Sequence, residues 1–167
     1  MDRTICTIGF AGKSAEEFFG LLKEAGVTRL IDIRENRAGQ LSGFAKYPDL
    51  EFFLAQVGGI AYLYEPRLAP SPEIREAYRT TKDWPAYEIA FLQLMRERGI
   101  PHCLDLAMFE GIVALLCSEP EPEQCHRRLA AELLWQYGTE LKYNIQVRHL
   151  TINKKKQSPT KKRRAPE

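Results

Sequence analysis

Residues Cys117-Ser118-Glu119-Pro120-Glu121-Pro122-Glu123-Gln124-Cys125-His126-Arg127 gather a nucleophile, acid–base groups and a fixed cation in one short stretch. The apolar run Ile112–Leu116 leads into Cys117, and a helical pattern covers Gln124–Tyr137. Cys125, His126 and Arg127 then fall in the first turn of a helix. A helix N-terminus favours a thiolate. Histidine supplies a base or an imidazolium partner, and arginine supplies a planar anion clamp. Cys117, Glu119 and His126 are therefore candidate catalytic groups, with Cys125 and Arg127 on the binding side. A structural alternative makes Cys117 a small buried hydrophobe. A merely solvated His126-Arg127 fits poorly, because a helix start disfavours cations without an anion nearby.

Spacing narrows the chemistry. The cysteine-phosphatase pattern needs arginine six positions after the cysteine, and those positions hold Glu123 and Ala131. Zinc at Cys117, Cys125 and His126, with His102 and Cys103 elsewhere, is the minor alternative. The Cys117-x7-Cys125 spacing is not a standard zinc pattern, and adjacent residues on a helix face apart. No cofactor is expected. Closure of a Cys117–Cys125 disulfide is a further reading.

A second polar segment is Asp32-Ile33-Arg34-Glu35-Asn36-Arg37. Alternation along a strand places Asp32 and Arg34 on the same side. Asp32 is a candidate acid or base, and Arg34 and Arg37 are candidate anion binders. The competing reading is an ion pair that ties the loop down. A third segment, Gly9-Phe10-Ala11-Gly12-Lys13-Ser14, puts two glycines and a lysine before a helix start, where an anion would sit. It is not a nucleotide-triphosphate P-loop, since Thr7 stands where that motif needs glycine. Gly9, Gly12, Lys13 and, further on, Lys46 complete the anion-binding set. Aromatic residues Tyr62–Tyr64 and Tyr78–Tyr87, with Trp84, read first as core and second as a wall for a base or sugar.

These segments need strands and helices to position them. Thr4–Gly9, Arg29–Arg34, Ile60–Tyr64, Ile112–Cys117 and Ile145–Leu150 read as short strands. Ser14 with Glu17 forms a capping-box pattern before Phe18, Phe19, Leu21 and Leu22, and Gly26 fits the stop. Further helical patterns cover Asp49–Val57, about 72–80, 85–98 and Gln124–Tyr137, with a weaker one at 103–110. Alternating strands and helices predict an α/β three-layer sandwich with a mostly parallel central sheet of about five strands.

The chain has 167 residues and a formal charge of +2. Residues 154–167 hold seven basic residues (Lys154, Lys155, Lys156, Lys161, Lys162, Arg163, Arg164) against Glu167, which is +6 and leaves −4 for the rest. The expected organisation is a domain at 1–153 and a disordered basic tail at 154–167, the latter a candidate nucleic-acid contact. No apolar run approaches the roughly 20 residues of a membrane span. No signal-peptide layout opens the chain. Four cysteines in such a chain read as reduced, so a cytoplasmic setting without membrane association is expected. Oligomeric state is not legible.

The segments TIGFAGKSAEEFFGLL, LIDIRENR, GFAKYPDLEFFL with GIAY, VALLCSEPEPEQCHRRLAAELL and VRHL follow one another across residues 4–150. In this order they resemble the DUF488 family, small prokaryotic α/β domains of unknown function. The resemblance implies that Gly9, Asp32, Arg34, Gly43, Phe44, Lys46, Cys117, Glu119, Cys125, His126 and Arg127 sit on family motifs. The chain departs from the pattern twice. Asn36-Arg37-Ala38-Gly39 replaces a stretch that often holds proline and then Ser-Arg, and Phe10 stands where histidine or tyrosine is common. The expected function is an enzyme for hydrolysis or group transfer on an anionic small molecule, a nucleotide or a nucleic acid, at a strand-end cleft. The alternative is a non-catalytic nucleic-acid-binding or adaptor module that uses the tail.

Overall fold

A computed structural model describes residues 2–39 and 42–152. The basic tail and its seven cations lie outside the described residues. Strands β1 (Asp2–Gly9), β2 (Arg29–Asp32), β3 (Ala61–Tyr64), β4 (Ile112–Cys117) and β5 (Asn144–His149) form one sheet in the order β3-β2-β4-β1-β5. Every neighbouring pair is parallel, so the expected mostly parallel sheet is wholly parallel here. Among the described residues five α-helices connect the strands: α1 (Ala15–Glu24), α2 (Asp49–Gly58), α3 (Pro72–Thr81), α4 (Trp84–Glu97) and α5 (His126–Glu140). No helix among the described residues is long and apolar enough to cross a membrane.

Period-two alternation divides the core. Ile5, Val113 and Leu115 point into one layer with Phe91, Leu129 and Leu134. Cys6, Ile8, Ala114 and Leu116 point into the other with Phe18, Leu22, Leu50 and Leu54. Both faces of the inner strands are thus covered, which is why β4 reads as an unbroken apolar run. Each such side chain contributes roughly 1.5–3 kcal/mol on burial.

Local chemistry sets the boundaries. Ser14 accepts from the Glu17 amide at 3.1 Å and Glu17 accepts from the Ser14 amide at 2.8 Å, completing the expected capping box. Gly26 then takes φ +71° just past the end of α1. The weak pattern at 103–110 is a single 3-10 stretch, Leu106–Phe109. Helix α5 begins at His126 rather than Gln124, with Cys125 as its N-cap. The later start changes the site, because an N-cap residue has extended backbone geometry and its side chain leaves the helix differently from the next one.

The chain runs from β1 through β2 to β3 at one edge, then returns to place β4 between β2 and β1. From β4 it leaves toward β5 at the opposite edge. Connections leaving β2 and β4 therefore diverge in opposite directions from neighbouring strands. That divergence opens a crevice beyond their C-terminal ends, where open α/β sheets bind ligands.

Candidate active site

At the end of β2, Asp32 is fully buried and Arg34 is 5% exposed. Arg34 grips the carboxylate with both prongs: Nε donates to Oδ1 at 2.8 Å and Nη2 to Oδ2 at 2.7 Å. Tyr62 donates its hydroxyl to Oδ2 at 2.8 Å. The expected same-side placement of Asp32 and Arg34 is present, and its use is the internal ion pair. Asp32 does not line the cleft; it fixes Arg34, whose guanidinium lies 5.4 Å from the Phe10 ring centre. The phenylalanine that departs from the family pattern is thus a cation–π floor for Arg34.

The expected anion cradle before α1 has turned inward as well. Lys13 is buried and its Nζ donates to the Pro120 carbonyl at 3.5 Å. Burial, followed by the nearby Arg127 charge, pushes the Lys13 pKa down. Gly9 is required for close approach: an added Cβ would overlap the Glu119 carbonyl and come within 2.7 Å of Arg127 Nη1. Gly12 has φ +71° and open space around it, so its role is the turn. Arg37 stacks on Tyr47 at 3.7 Å and on Tyr64 at 4.1 Å, beside the Tyr62 hydroxyl. Lys46 closes the 3-10 turn Gly43–Ala45. Neither Arg37 nor Lys46 lines the crevice. Five candidate anion binders, Gly9, Gly12, Lys13, Arg37 and Lys46, therefore lie apart from the cleft surface or serve its scaffold.

The Cys117 strand end is the centre of the crevice. Cys117 and Cys125 are buried and free, with their Sγ atoms in close contact at 2.6 Å. Arg127 is fully buried below them. Its Nη1 donates to Cys117 Sγ at 3.1 Å and to the Glu119 carbonyl, and lies 3.7 Å from Cys125 Sγ. Its Nη2 donates to the Pro120 carbonyl at 3.2 Å. Arg127 is therefore not an exposed anion clamp. It binds the loop carbonyls and both sulfurs, leaving only its buried Nε without a hydrogen-bond partner. The arginine that the phosphatase spacing lacks is supplied ten positions downstream of Cys117, and it holds the sulfur rather than a substrate.

Electrostatics separate the two thiols. Burial opposes ionisation of Cys117, but the Cys125 hydrogen bond and the Arg127 charge outweigh it and bring the pKa down to about 7. Burial and the neighbouring Cys117 push Cys125 well up. Near pH 7 the pair is thus a half-ionised Cys117 beside a neutral Cys125. His126 sits against them, and its Nε2 is 3.1 Å from the Ile33 carbonyl. A carbonyl only accepts, so Nε2 carries the proton. Burial, and then repulsion from Arg127 and Arg75, lowers His126 to about 4, so the ring is neutral at pH 7.

The two sulfurs and a His126 ring nitrogen lie within 4.8 Å of one another. Because Cys125 is the N-cap, it and His126 do face one point, contrary to the expectation for two helical neighbours. The donor types suit zinc. Arg127 does not suit it: a guanidinium already contacts both sulfurs, and a dication there meets direct repulsion. His102 packs on Tyr137 instead, and neither it nor Cys103 joins the group.

Above the sulfurs opens a cleft of about 760 Å³, within the range of small-molecule sites. Glu119 and Glu123 edge it on the loop side, and Arg34 and Glu35 on the β2 side. The far wall is α3 with the start of α4. Arg75, Tyr78, Arg79 and Lys82 face in, followed by Trp84 and Tyr87. Trp84 and Tyr87 stack with centres 4.8 Å apart. Arg75 pairs with Glu35, and Arg79 pairs with Glu76 at 2.9 Å. These cations were missed in the sequence, although positions 75, 78, 79 and 82 fall at i, i+3, i+4 and i+7, one stripe of a helix. The Trp84 cluster both joins the core margin and lines the cleft, so its two readings coexist.

Neither a search of curated proteins nor a search of solved structures found a match. The family model described as a domain of unknown function, DUF488, matches residues 14–134. That span begins at the α1 cap, takes in β2 and the whole Cys117–Arg127 loop, and ends inside α5. The match covers most of the sequence, and the chain belongs to the DUF488 family.

Proposed function

We propose that this chain is an enzyme that uses Cys117 as a nucleophile on an anionic, ring-bearing substrate of nucleotide type. The observation that carries the reading is the meeting, in one cleft, of a thiol held toward its thiolate and a wall of aromatic and cationic side chains. Lys82, Arg79 and Arg75 attract the anionic group, and Trp84 offers a ring face. Cys117 Sγ supplies the electron pair for the new bond, and the leaving group departs with the pair of the bond that breaks. Water or a second acceptor then displaces the group from sulfur. His126, neutral and beside the sulfurs, takes the proton of that incoming nucleophile. The reaction class is hydrolysis or group transfer. Arg127 is a positioning residue, since it acts through Cys117 and the loop carbonyls.

Two measurements test the reading. The chain has two tryptophans, Trp84 and Trp135. In a Trp135→Phe background, nucleoside monophosphates and diphosphates are expected to quench Trp84 emission. Joint replacement Arg79→Ala, Lys82→Ala is expected to weaken that binding. Across the same compounds, turnover by the intact chain is expected to vanish in Cys117→Ser while quenching persists. Full turnover by Cys117→Ser sinks the nucleophile assignment. Binding indifferent to Arg79 and Lys82 sinks the substrate class.

A further inference from the structure

The chemistry of the Cys117 site has a second consequence, independent of any nucleotide. Two reduced thiols share the cleft floor in direct contact, and both line the open crevice. They differ in role: Arg127 Nη1 donates to Cys117 at 3.1 Å but lies 3.7 Å from Cys125. Cys125 occupies an N-cap with extended backbone and makes no cap hydrogen bond through its side chain. Its sulfur is therefore not committed to the helix. The other two cysteines are placed differently. Cys6 is fully buried in the opposite core layer, and Cys103 is exposed, with its thiol 3.4 Å from the Arg98 carbonyl.

We propose that Cys117 and Cys125 form a peroxide-reactive dithiol, with Cys117 as the attacking sulfur and Cys125 as the resolving one. The oxidant class is a hydroperoxide. Cys117 thiolate attacks one peroxide oxygen, an S–O bond forms and the O–O bond breaks. The departing oxygen takes a proton and leaves as alcohol or water, and Cys117 becomes a sulfenic acid. Cys125 sulfur then attacks Cys117 sulfur. The S–S bond forms, the S–O bond breaks, and the released hydroxide leaves as water with the Cys125 proton. Two thiols and one peroxide yield one disulfide and water plus the reduced peroxide. A thiolate beside a neutral thiol suits this order, because the ionised sulfur attacks first. A disulfide removes the nucleophile of the proposed reaction, so peroxide is also an off-switch; that consequence alone rests on the proposed enzymatic role.

The test uses the full chain carrying Cys103→Ser, treated with a chelator and exposed to one equivalent of hydrogen peroxide per chain until the peroxide is consumed. Thiols are counted after denaturation, and peptides are mapped by mass. The expected result is loss of both Cys117 and Cys125 thiols, retention of Cys6, and a Cys117–Cys125 linked peptide that a dithiol reductant reverses. In Cys125→Ser, a sulfenic-acid trap such as dimedone is expected to label Cys117. In Cys117→Ser, Cys125 is expected to stay reduced. Three surviving thiols in the peroxide-treated parent overturn the proposal, as does a linked peptide involving Cys6. The parent measurement needs no site variant, so it decides the matter even where a mutant misfolds. A pair that oxidises in a protein with no nucleotide turnover supports the dithiol and rejects the enzyme reading. Turnover with peroxide-resistant thiols does the reverse.

Discussion

Replacing Arg127 by methionine is expected to reverse the reactivity profile of Cys117. The guanidinium contacts Cys117 Sγ at 3.1 Å, and its charge is one of the factors that hold the thiol at about 7 against the burial that raises it. Methionine keeps the apolar stem and removes the charge. Burial then acts with less opposition and the thiol moves up toward its ordinary 9.0; the Cys125 hydrogen bond still holds it down, so full return sets the upper limit of the effect. In that limit the ionised fraction at pH 7 falls from about one half to about 1%, at most roughly fifty-fold. A more basic thiolate is also a better nucleophile, by about eight-fold over such a shift. The two effects combine to a net loss of about six-fold in alkylation rate at pH 7. Above pH 10 the order inverts, and the variant reacts about eight-fold faster. The assay is iodoacetamide labelling of Cys117 in a Cys103→Ser background, followed by peptide mass across pH. A wild-type midpoint near 9, or an unmoved midpoint in Arg127→Met, refutes a thiolate stabilised by Arg127.

Stability gives a second readout of the same residue. The folded pKa of Cys117 lies below its ordinary value, so the associated stability is complete above pH 9 and is lost as pH falls through 7. The window is worth about 2–3 kcal/mol. Arg127→Met is expected to lack this rise. It also takes the Arg127 donor from the Glu119 carbonyl, a cost of about 1–3 kcal/mol, and leaves the Pro120 carbonyl with Lys13 alone. At higher pH, Cys125 and Cys6 oppose folding, since both pKa values are raised.

Other contacts carry expectations of their own. His126 is neutral when folded, with its pKa at about 4 against 6.5; stability is expected to decline from pH 6.5 to 4 by about 3 kcal/mol, and urea midpoints of His126→Asn should lack that limb. Gly9→Ala is expected to expel the Glu119 carbonyl and to destabilise by about 1–3 kcal/mol or more, read as a fall in urea midpoint; an unchanged midpoint contradicts the close approach. Deleting residues 154–167 removes seven cations and is expected to cut any duplex-DNA salt slope by up to about 6, measured by fluorescence anisotropy. Unaltered affinity excludes the tail as a nucleic-acid contact.

Much of the framework was legible where the signal is local. Ile112–Cys117 was readable because both its faces are buried, and Ser14 with Glu17 was readable because a capping box lies within four residues. Cys125 was misplaced by two helical positions because cysteine carries no N-cap signature. The Asp32–Arg34 pair was readable as same-sided, but whether its fork faced a ligand or the carboxylate depends on Tyr62 from another strand. Arg127 read as a clamp because nothing local reveals that Glu119, Pro120 and Cys117 close around it. The α3 wall was missed because its polar stripe gains meaning only opposite the Cys117 loop, a juxtaposition made by the return of the chain from β3 to β4.

A crystal structure of the full chain soaked with adenosine monophosphate tests the nucleotide cleft most sharply. Density is expected in the cleft, with the phosphate beside Lys82 or Arg79 and the nucleotide over the Cys117–Cys125 floor. Density only outside this cleft, or a metal ion held by Cys117, Cys125 and His126, would overturn the proposed function.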